Sequence, residues 1–425
     1  MILLALIWKK LFKTMLEQIK DQPILELINQ ESRRQIDELE LIASENYASP
    51  AVLAALATPL ANKYSEGYSG KRYYGGNHII DDIENLAIER AKQLFNAEHV
   101  NVQPLSGSPA NLAAYLAILE PGDTVLGLRL DHGGHLSHGH PINISGRLFK
   151  FVQYEVDATT GRLNMDQVRQ VAHQAKPKLI VAGFSAYSRE IDWAGFKSIA
   201  DEVGALTMAD ISHTAGLIAG RQLSNPTNIV DIVTTTTHKT LRGPRGAIIM
   251  STTKLAKAID RAVFPGLQGG PHDHVTAAKA IAFGEALQPA FQDYARQVIA
   301  NAQLLAEQLQ AKNYDIVSGG TDNHLLVIDL TKQGLAGRQA EEALQKAGLS
   351  VSRSTVPGDQ RPPLNPSGIR LGTAAITTRG FGSAEIKQTA NWLHQALVNH
   401  ADDNYLADIK QQVTQLGRRL PPPSL

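Results

Sequence analysis

The chain contains no cysteine. That absence excludes disulfides, thiolate catalysis and cysteine-based zinc sites, and it fits a reducing cytoplasm. An excess of charge is also missing, since 41 Lys and Arg balance 41 Asp and Glu. No surplus positive charge exists to neutralise a phosphate backbone, which argues against nucleic acid as the main partner. Nor does the N-terminus supply a membrane span. Residues 1–7 are apolar and Trp8-Lys9-Lys10 follows, far short of the roughly 20 residues a spanning helix needs. The charge comes after the apolar run, the reverse of a secretory signal. A helix lying on a membrane surface is one alternative. The simpler reading is an extension, residues 1–14, ahead of a start at Met15, with no membrane expected.

What is present is ample chain, 425 residues, enough for a large core and two domains. Residues 15–60 read as a helical N-terminal segment, with Leu and Ile at three- and four-residue spacing over 16–40. Residues 61–295 read as a large α/β domain. There Thr124–Leu128, 148–154, 178–184, 205–209, 229–235 and Ala247–Ser251 are expected strands, interleaved with helices over 81–96, 109–119, 164–176 and 193–203. Such alternation predicts a largely parallel sheet. Residues 296–425 read as a smaller α+β domain, with helices over 301–312, 337–347 and 383–399 and strands near 324–329 and 349–353. The tail Pro421-Pro422-Pro423 is expected to fray.

The chemistry concentrates in a few segments. Thr234-Thr235-Thr236-Thr237-His238-Lys239-Thr240-Leu241-Arg242-Gly243-Pro244-Arg245-Gly246 ends a β-rich run in His-Lys before a Gly/Pro turn. A lysine at such a strand end loses solvation, which lowers its pKa and frees the amine to attack an aldehyde. Arg242 and Arg245 are expected to disfavour the ammonium form further. Alone, Lys239 would be an ordinary surface lysine. Asp210 closes the apolar run 205–209, at the end of a parallel strand where α/β sheets bind ligands. A carboxylate there keeps a pyridine nitrogen protonated, as pyridoxal phosphate requires; the plainer alternative is a helix N-cap. Ser106-Gly107-Ser108-Pro109 opens a helical segment, with backbone N–H groups and hydroxyls for a phosphate, or merely a cap. Gln268-Gly269-Gly270-Pro271 is a second candidate cradle. The loop 62–76 holds four tyrosines, four glycines and an embedded Glu66, a composition more typical of a site than of a core. His132, His135, His138 and His140 invite zinc. However, no Cys or Glu completes the set, and the intervening glycines suit a loop over a flat ring on which an imidazole stacks.

In order, Leu41-Ile42-Ala43-Ser44-Glu45-Asn46-Tyr47, Tyr64-Ser65-Glu66-Gly67-Tyr68, Lys71-Arg72-Tyr73-Tyr74-Gly75-Gly76, His132-Gly133-Gly134-His135-Leu136, Gly183-Phe184-Ser185-Ala186-Tyr187-Ser188, the Lys239 segment, Ser318-Gly319-Gly320-Thr321-Asp322-Asn323-His324 and Ser367-Gly368-Ile369-Arg370-Leu371-Gly372-Thr373 resemble the serine hydroxymethyltransferases from about residue 25 to 415. The resemblance implies a fold type I pyridoxal-phosphate enzyme. Its large domain would carry a mostly parallel seven-stranded sheet beside a smaller C-terminal α+β domain. It would be a cytoplasmic homodimer or tetramer with shared active sites and no metal. Such an enzyme interconverts serine plus tetrahydrofolate with glycine plus methylenetetrahydrofolate. By the same resemblance Lys239 is the Schiff-base lysine, Asp210 meets the pyridine nitrogen and His135 stacks on the ring. Ser106, Gly107, Ser108 and His238 surround the phosphate and cofactor, while Ser185 and His213 touch the ring's hydroxyl side. Arg370 holds the substrate carboxylate, with Ser44, Tyr74 and Arg245 around the substrate. Tyr64, Gly269, Gly270 and the acid/base Glu66 come from the other subunit.

Five positions depart from the family pattern. Ser354 stands for an asparagine that holds the folate pterin, and serine lacks paired amide donor and acceptor groups. Leu105 replaces a His or Tyr, Leu267 a glycine, Ala374 the proline of Gly-Thr-Pro, and Asp131 an Ala or Ser. These leave open a changed one-carbon acceptor, as in an α-methylserine hydroxymethyltransferase or a threonine transaldolase. A non-catalytic paralogue would have lost Lys239 or Asp210, and both are present.

Overall fold

A computed structural model describes residues 16–425; the extension 1–14 and Met15 lie outside the described residues. The largest sheet has seven strands: β1 His99–Asn101, β2 Thr124–Leu128, β3 Lys150–Tyr154, β4 Leu179–Gly183, β5 Leu206–Asp210, β6 Ile232–Thr236 and β7 Ala247–Ser251, in the order β1-β7-β6-β5-β4-β2-β3. Strands β2 to β6 run parallel, and β7 runs antiparallel to both its neighbours. The inner strands β4 to β7 are almost entirely buried because both faces are covered. Leu126, Ile180, Ala209, Val233 and Ile248 enter one core cluster. Val125, Leu179, Met208, Ile232 and Ile249 enter another on the opposite face. The period-two alternation of a strand therefore sorts neighbours to two dry faces, as parallel sheets require.

A four-stranded sheet, ordered β8-β9-β11-β10, comprises β8 Asp315–Ile316, β9 Leu325–Asp329, β10 Ser352–Ser354 and β11 Gly368–Gly372, antiparallel throughout. Its core joins Leu326, Ile328, Ile369 and Leu371 to Leu39 and Leu41 of the N-terminal segment. Leu39–Glu40 is itself a strand, parallel to Leu349–Ser350. The helix expected over 301–312 is longer, Pro289–Gln310. Its first half (Phe291, Tyr294, Val298) packs on the large core and its second half (Leu305, Leu309) on the small one. Sequence periodicity hid this because the buried stripe is continuous although its partners change.

The tail does not fray. Pro422 and Ser424 are buried, and Leu425 N–H donates to the Pro422 carbonyl. Just before it, the buried Arg379 guanidinium donates to the carbonyls of Leu420 and Gly417. Among the described residues no helix is long and apolar enough to cross a membrane.

Candidate active site

Because β2, β4, β5 and β6 are parallel, their carboxyl ends lie along one edge, and the loops that follow them line a cavity of about 340 Å³. Into it the strand ends bring His135 after β2, Ser185 after β4, Asp210 and His213 at and after β5, and His238 with Lys239 after β6. Tight strand packing positions Asp210. A Cβ on Gly183, its register partner, would lie 2.6 Å from the Asp210 carbonyl. Ser106, Gly107 and Ser108 complete the wall from a helix N-terminus, Ser44 from the N-terminal segment, Arg245 from the turn after Lys239 and Arg370 from β11.

Asp210 is not a helix cap. Its Oδ1 accepts from Ser212 N–H at 3.0 Å, and its Oδ2 faces Asn111 Nδ2 at 2.8 Å and His138 Nε2 at 3.2 Å. Burial alone would push the carboxyl up. The His138 hydrogen bond, the neighbouring imidazoles and the Asn111 amide outweigh burial and hold it well below the carboxylate range. Asn111 and His138 were not read from the sequence as partners of Asp210, from which they stand 99 and 72 positions away.

Lys239 is 9% exposed. Burial lowers its pKa to about 8; Asp210 opposes the shift, while Arg370 and Arg245 reinforce it. Arg242 does not take the role expected of it. Its guanidinium lies 4.1 Å from the Tyr294 ring centroid, a cation–π contact that faces it toward the Pro289–Gln310 helix. Burial also takes His135 down to about 4 and His238 to about 3. Both imidazoles are therefore neutral near pH 7. His135 Nδ1 pairs with Ser137 Oγ at 2.7 Å, and His238 Nε2 accepts from Arg245 at 3.2 Å. Arg370 donates to the Ser185 carbonyl at 2.6 Å, and no carboxylate of the described residues pairs with it.

The cavity fits pyridoxal phosphate on its own geometry. Ser106 takes the N-cap position of helix Gly107–Ile118, yet its side chain makes no capping bond, so its hydroxyl and the first-turn N–H groups remain for an anion. A Cβ on Gly107 would come 2.8 Å from Thr236 Cγ2, so glycine lets the loop close onto β6. The ionised Asp210 and the partly neutral Lys239 are the groups a protonated pyridine and an aldehyde need.

Tyr64, Glu66, Tyr74, Gly269 and Gly270 line none of this cavity. They gather with one another instead. Tyr74 Oη lies 3.4 Å from Glu66 Oε2, Tyr64 and Tyr74 meet edge to face, and Gly269 and Gly270 abut Glu66 and Tyr64. Tyr64 is 59% and Tyr74 50% exposed. A second cavity of about 620 Å³ shares His135, Ser185 and Arg370 with the first and adds Leu130, Asp131, His140, Ser354 and Thr355. Ser354 Oγ donates to the Thr355 carbonyl at 3.1 Å, and Thr355 Oγ1 donates to the Asp131 carbonyl at 2.9 Å.

The family model for serine hydroxymethyltransferase matches residues 17–393. The chain belongs to that family. Among relatives named serine hydroxymethyltransferase, the protein of Acidothermus cellulolyticus is 55% identical over 411 residues, covering 95% of this chain and 96% of the relative. That of Alkalilimnicola ehrlichii is 53% identical over 403 residues, with 94% and 96% covered, and that of a Synechococcus species 53% over 414 residues, with 94% and 95%. The fold is thus the fold type I architecture of pyridoxal-phosphate enzymes. Of the departures from the family pattern, Ala374 opens helix Ala374–Thr378 at the first helical position, a place that proline also favours. Leu105 N–H donates to the Gln268 side chain at 3.1 Å, tying the Gly269-Gly270 segment to the Ser106 loop without help from its own side chain.

Proposed function

We propose that this chain is a pyridoxal-phosphate-dependent hydroxymethyltransferase that interconverts serine plus tetrahydrofolate with glycine plus methylenetetrahydrofolate. The observation that carries the reading is the pairing, in one cavity, of a buried lysine with a pKa of about 8 and an ionised buried aspartate. When bound, the cofactor supplies an aldehyde for amines to bond to and a protonated ring that draws electrons from the substrate α-carbon. Asp210 keeps the ring nitrogen protonated. Lys239 would bond to that aldehyde through its amine, which burial leaves partly neutral near pH 8. Neutral His135 stacks on the ring, and Ser106 and Ser108 hold the phosphate with the helix N-terminus. Arg370 binds the amino-acid carboxylate bidentately, beside Ser44 and Arg245.

Glu66 reaches this site from a second copy of the chain, with Tyr64, Gly269 and Gly270. Its absence from the cavity, and the half-exposed Tyr64 and Tyr74 rings beside it, support that arrangement. There it holds or releases the proton of the substrate hydroxyl as the carbon–carbon bond breaks or forms, with Tyr74 beside it. The second cavity takes the folate. One observation favours a second reading, a relative with another acceptor such as α-methylserine hydroxymethyltransferase or threonine transaldolase. Ser354 donates its only hydroxyl proton to the neighbouring Thr355 carbonyl. Glycine release from serine, with the cofactor present and tetrahydrofolate added or withheld, tests the two. Release that depends on folate supports the first; turnover only with threonine and an added aldehyde replaces it with the second.

A further inference from the structure

Two histidines meet where the large domain, the small sheet and the N-terminal segment touch. His213 follows β5 three residues after Asp210, and His324 immediately precedes β9. Both are buried, His324 completely. Their rings stack at 23° with centroids 5.4 Å apart, and His213 Nδ1 lies 3.2 Å from His324 Nε2. The same His324 Nε2 lies 3.1 Å from the Ala43 carbonyl oxygen. The backbone of His324 is held as well, since its carbonyl accepts from Thr373 N–H at 3.0 Å.

Hydrogen-bond bookkeeping decides the protons. A carbonyl oxygen only accepts, so His324 Nε2 must carry the hydrogen that it shares with the Ala43 carbonyl. His213 Nδ1, facing the same N–H, must then accept. In a neutral imidazole one nitrogen bears the proton, so in His213 it sits on Nε2. Charge state does not undo this. Burial, reinforced by Lys239 and Arg370, holds His213 well below the usual imidazole range and takes His324 down to about 3. His324 Nδ1 is buried without a partner. As a bare lone pair it is one unmet acceptor, whereas a proton there would make it an unmet donor, the costlier case.

We propose that His324 is a positioning residue that locks His213 in its Nε2–H tautomer, so that His213 presents a donor to an oxygen of the ligand in the cavity it lines. That this oxygen is the ring hydroxyl of pyridoxal phosphate rests on the functional reading above; the tautomer itself does not. The lock spans the interface of the two cores, so the donor is set only when the small sheet and the Ala43 segment are docked.

The test uses the full-length chain with ¹⁵N-labelled histidine, alone and loaded with pyridoxal phosphate, with His213 resonances assigned by their loss in His213→Asn. A protonated Nε2 and a bare Nδ1 on His213 are expected in both states. His324→Gln retains an amide donor for both partners and keeps this tautomer. His324→Leu removes the donor, mixes the His213 tautomers and weakens affinity for pyridoxal phosphate by about tenfold, while the Gln variant stays within about threefold. A proton on His213 Nδ1 in the parent chain overturns the proposal, and so does a Leu variant with unchanged tautomer and affinity. Should the Leu variant not fold, the parent and Gln spectra still decide. A parent chain that does not bind pyridoxal phosphate would sink the functional reading and leave the tautomer result standing.

Discussion

Lys239 and Asp210 lie in a cavity closed by loops from four parallel strands, with hydrogen-bond partners already in place around the carboxylate. Glu66, Tyr64 and Tyr74 sit on a loop of the same chain, where the Tyr64 and Tyr74 rings are at least half exposed and meet each other and Glu66. The first region is organised before any partner arrives, because its groups hang from the ends of a buried sheet. The second has its contents but not its place. Even so, it is not a loose loop. Arg72 pairs with Asp81 at 2.8 Å and Glu84 at 3.1 Å, and Ser65 Oγ donates to Asp273 at 2.6 Å. A pinned loop that holds Glu66 outside its own chain's cavity suits the proposed site assembled from two copies.

The largest expected effect breaks the buried half. Lys239→Ala removes the amine that bonds to the cofactor, and turnover falls roughly a thousandfold or more, measured as glycine formed from serine. A pH experiment then sharpens the comparison. The folded Lys239 has a pKa near 8 against 10.5 for a free lysine, so its amine is charged below pH 8 and neutral above. The rate at which the cofactor-free chain captures pyridoxal phosphate should rise with pH around a midpoint near 8. A midpoint near 10 would mean that burial does not tune this lysine.

A mixing experiment tests the exposed half. Lys239→Ala and Glu66→Gln chains are each expected to be nearly inactive. If each site takes Lys239 from one chain and Glu66 from the other, random hybrids regain about a quarter of parent activity, because half the dimers carry one intact site of two. No recovery would place Glu66 in its own chain's site. The smallest effect is at the second cavity. Ser354→Asn restores paired amide groups and should tighten binding of a reduced folate about threefold to tenfold with amino-acid affinity unchanged, by titration. Unchanged folate binding would show that residue 354 does not touch the acceptor.

Much of the fold was legible in the sequence, because buried strands must be apolar on both faces and the alternation with helices leaves few topologies. The motif order located Lys239, Asp210 and Arg370 in the same way, since a ring, a phosphate and a carboxylate each demand a particular residue type. Three things were not legible. The antiparallel β7 looks like its parallel neighbours, as direction leaves no mark on an apolar run. Arg242 and Arg245 are equivalent in sequence, yet one stacks on Tyr294 and the other borders the cavity. Nothing in Asn111, His138 or His324 announces its contact with Asp210 or His213, because each acts through a neighbour brought close only by folding.

The sequence by itself thus determined the chemistry on offer: a lysine amine, an aspartate, a stacking imidazole, an arginine fork and a serine-glycine turn, in an order that one family shares. Only the tertiary structure decided their states. Burial lowered the Lys239 pKa, His138 and Asn111 kept Asp210 charged against burial, and a single carbonyl at Ala43 set the protons of two histidines. Protonation depends on what surrounds a group within a few ångströms, and a linear sequence does not contain those distances.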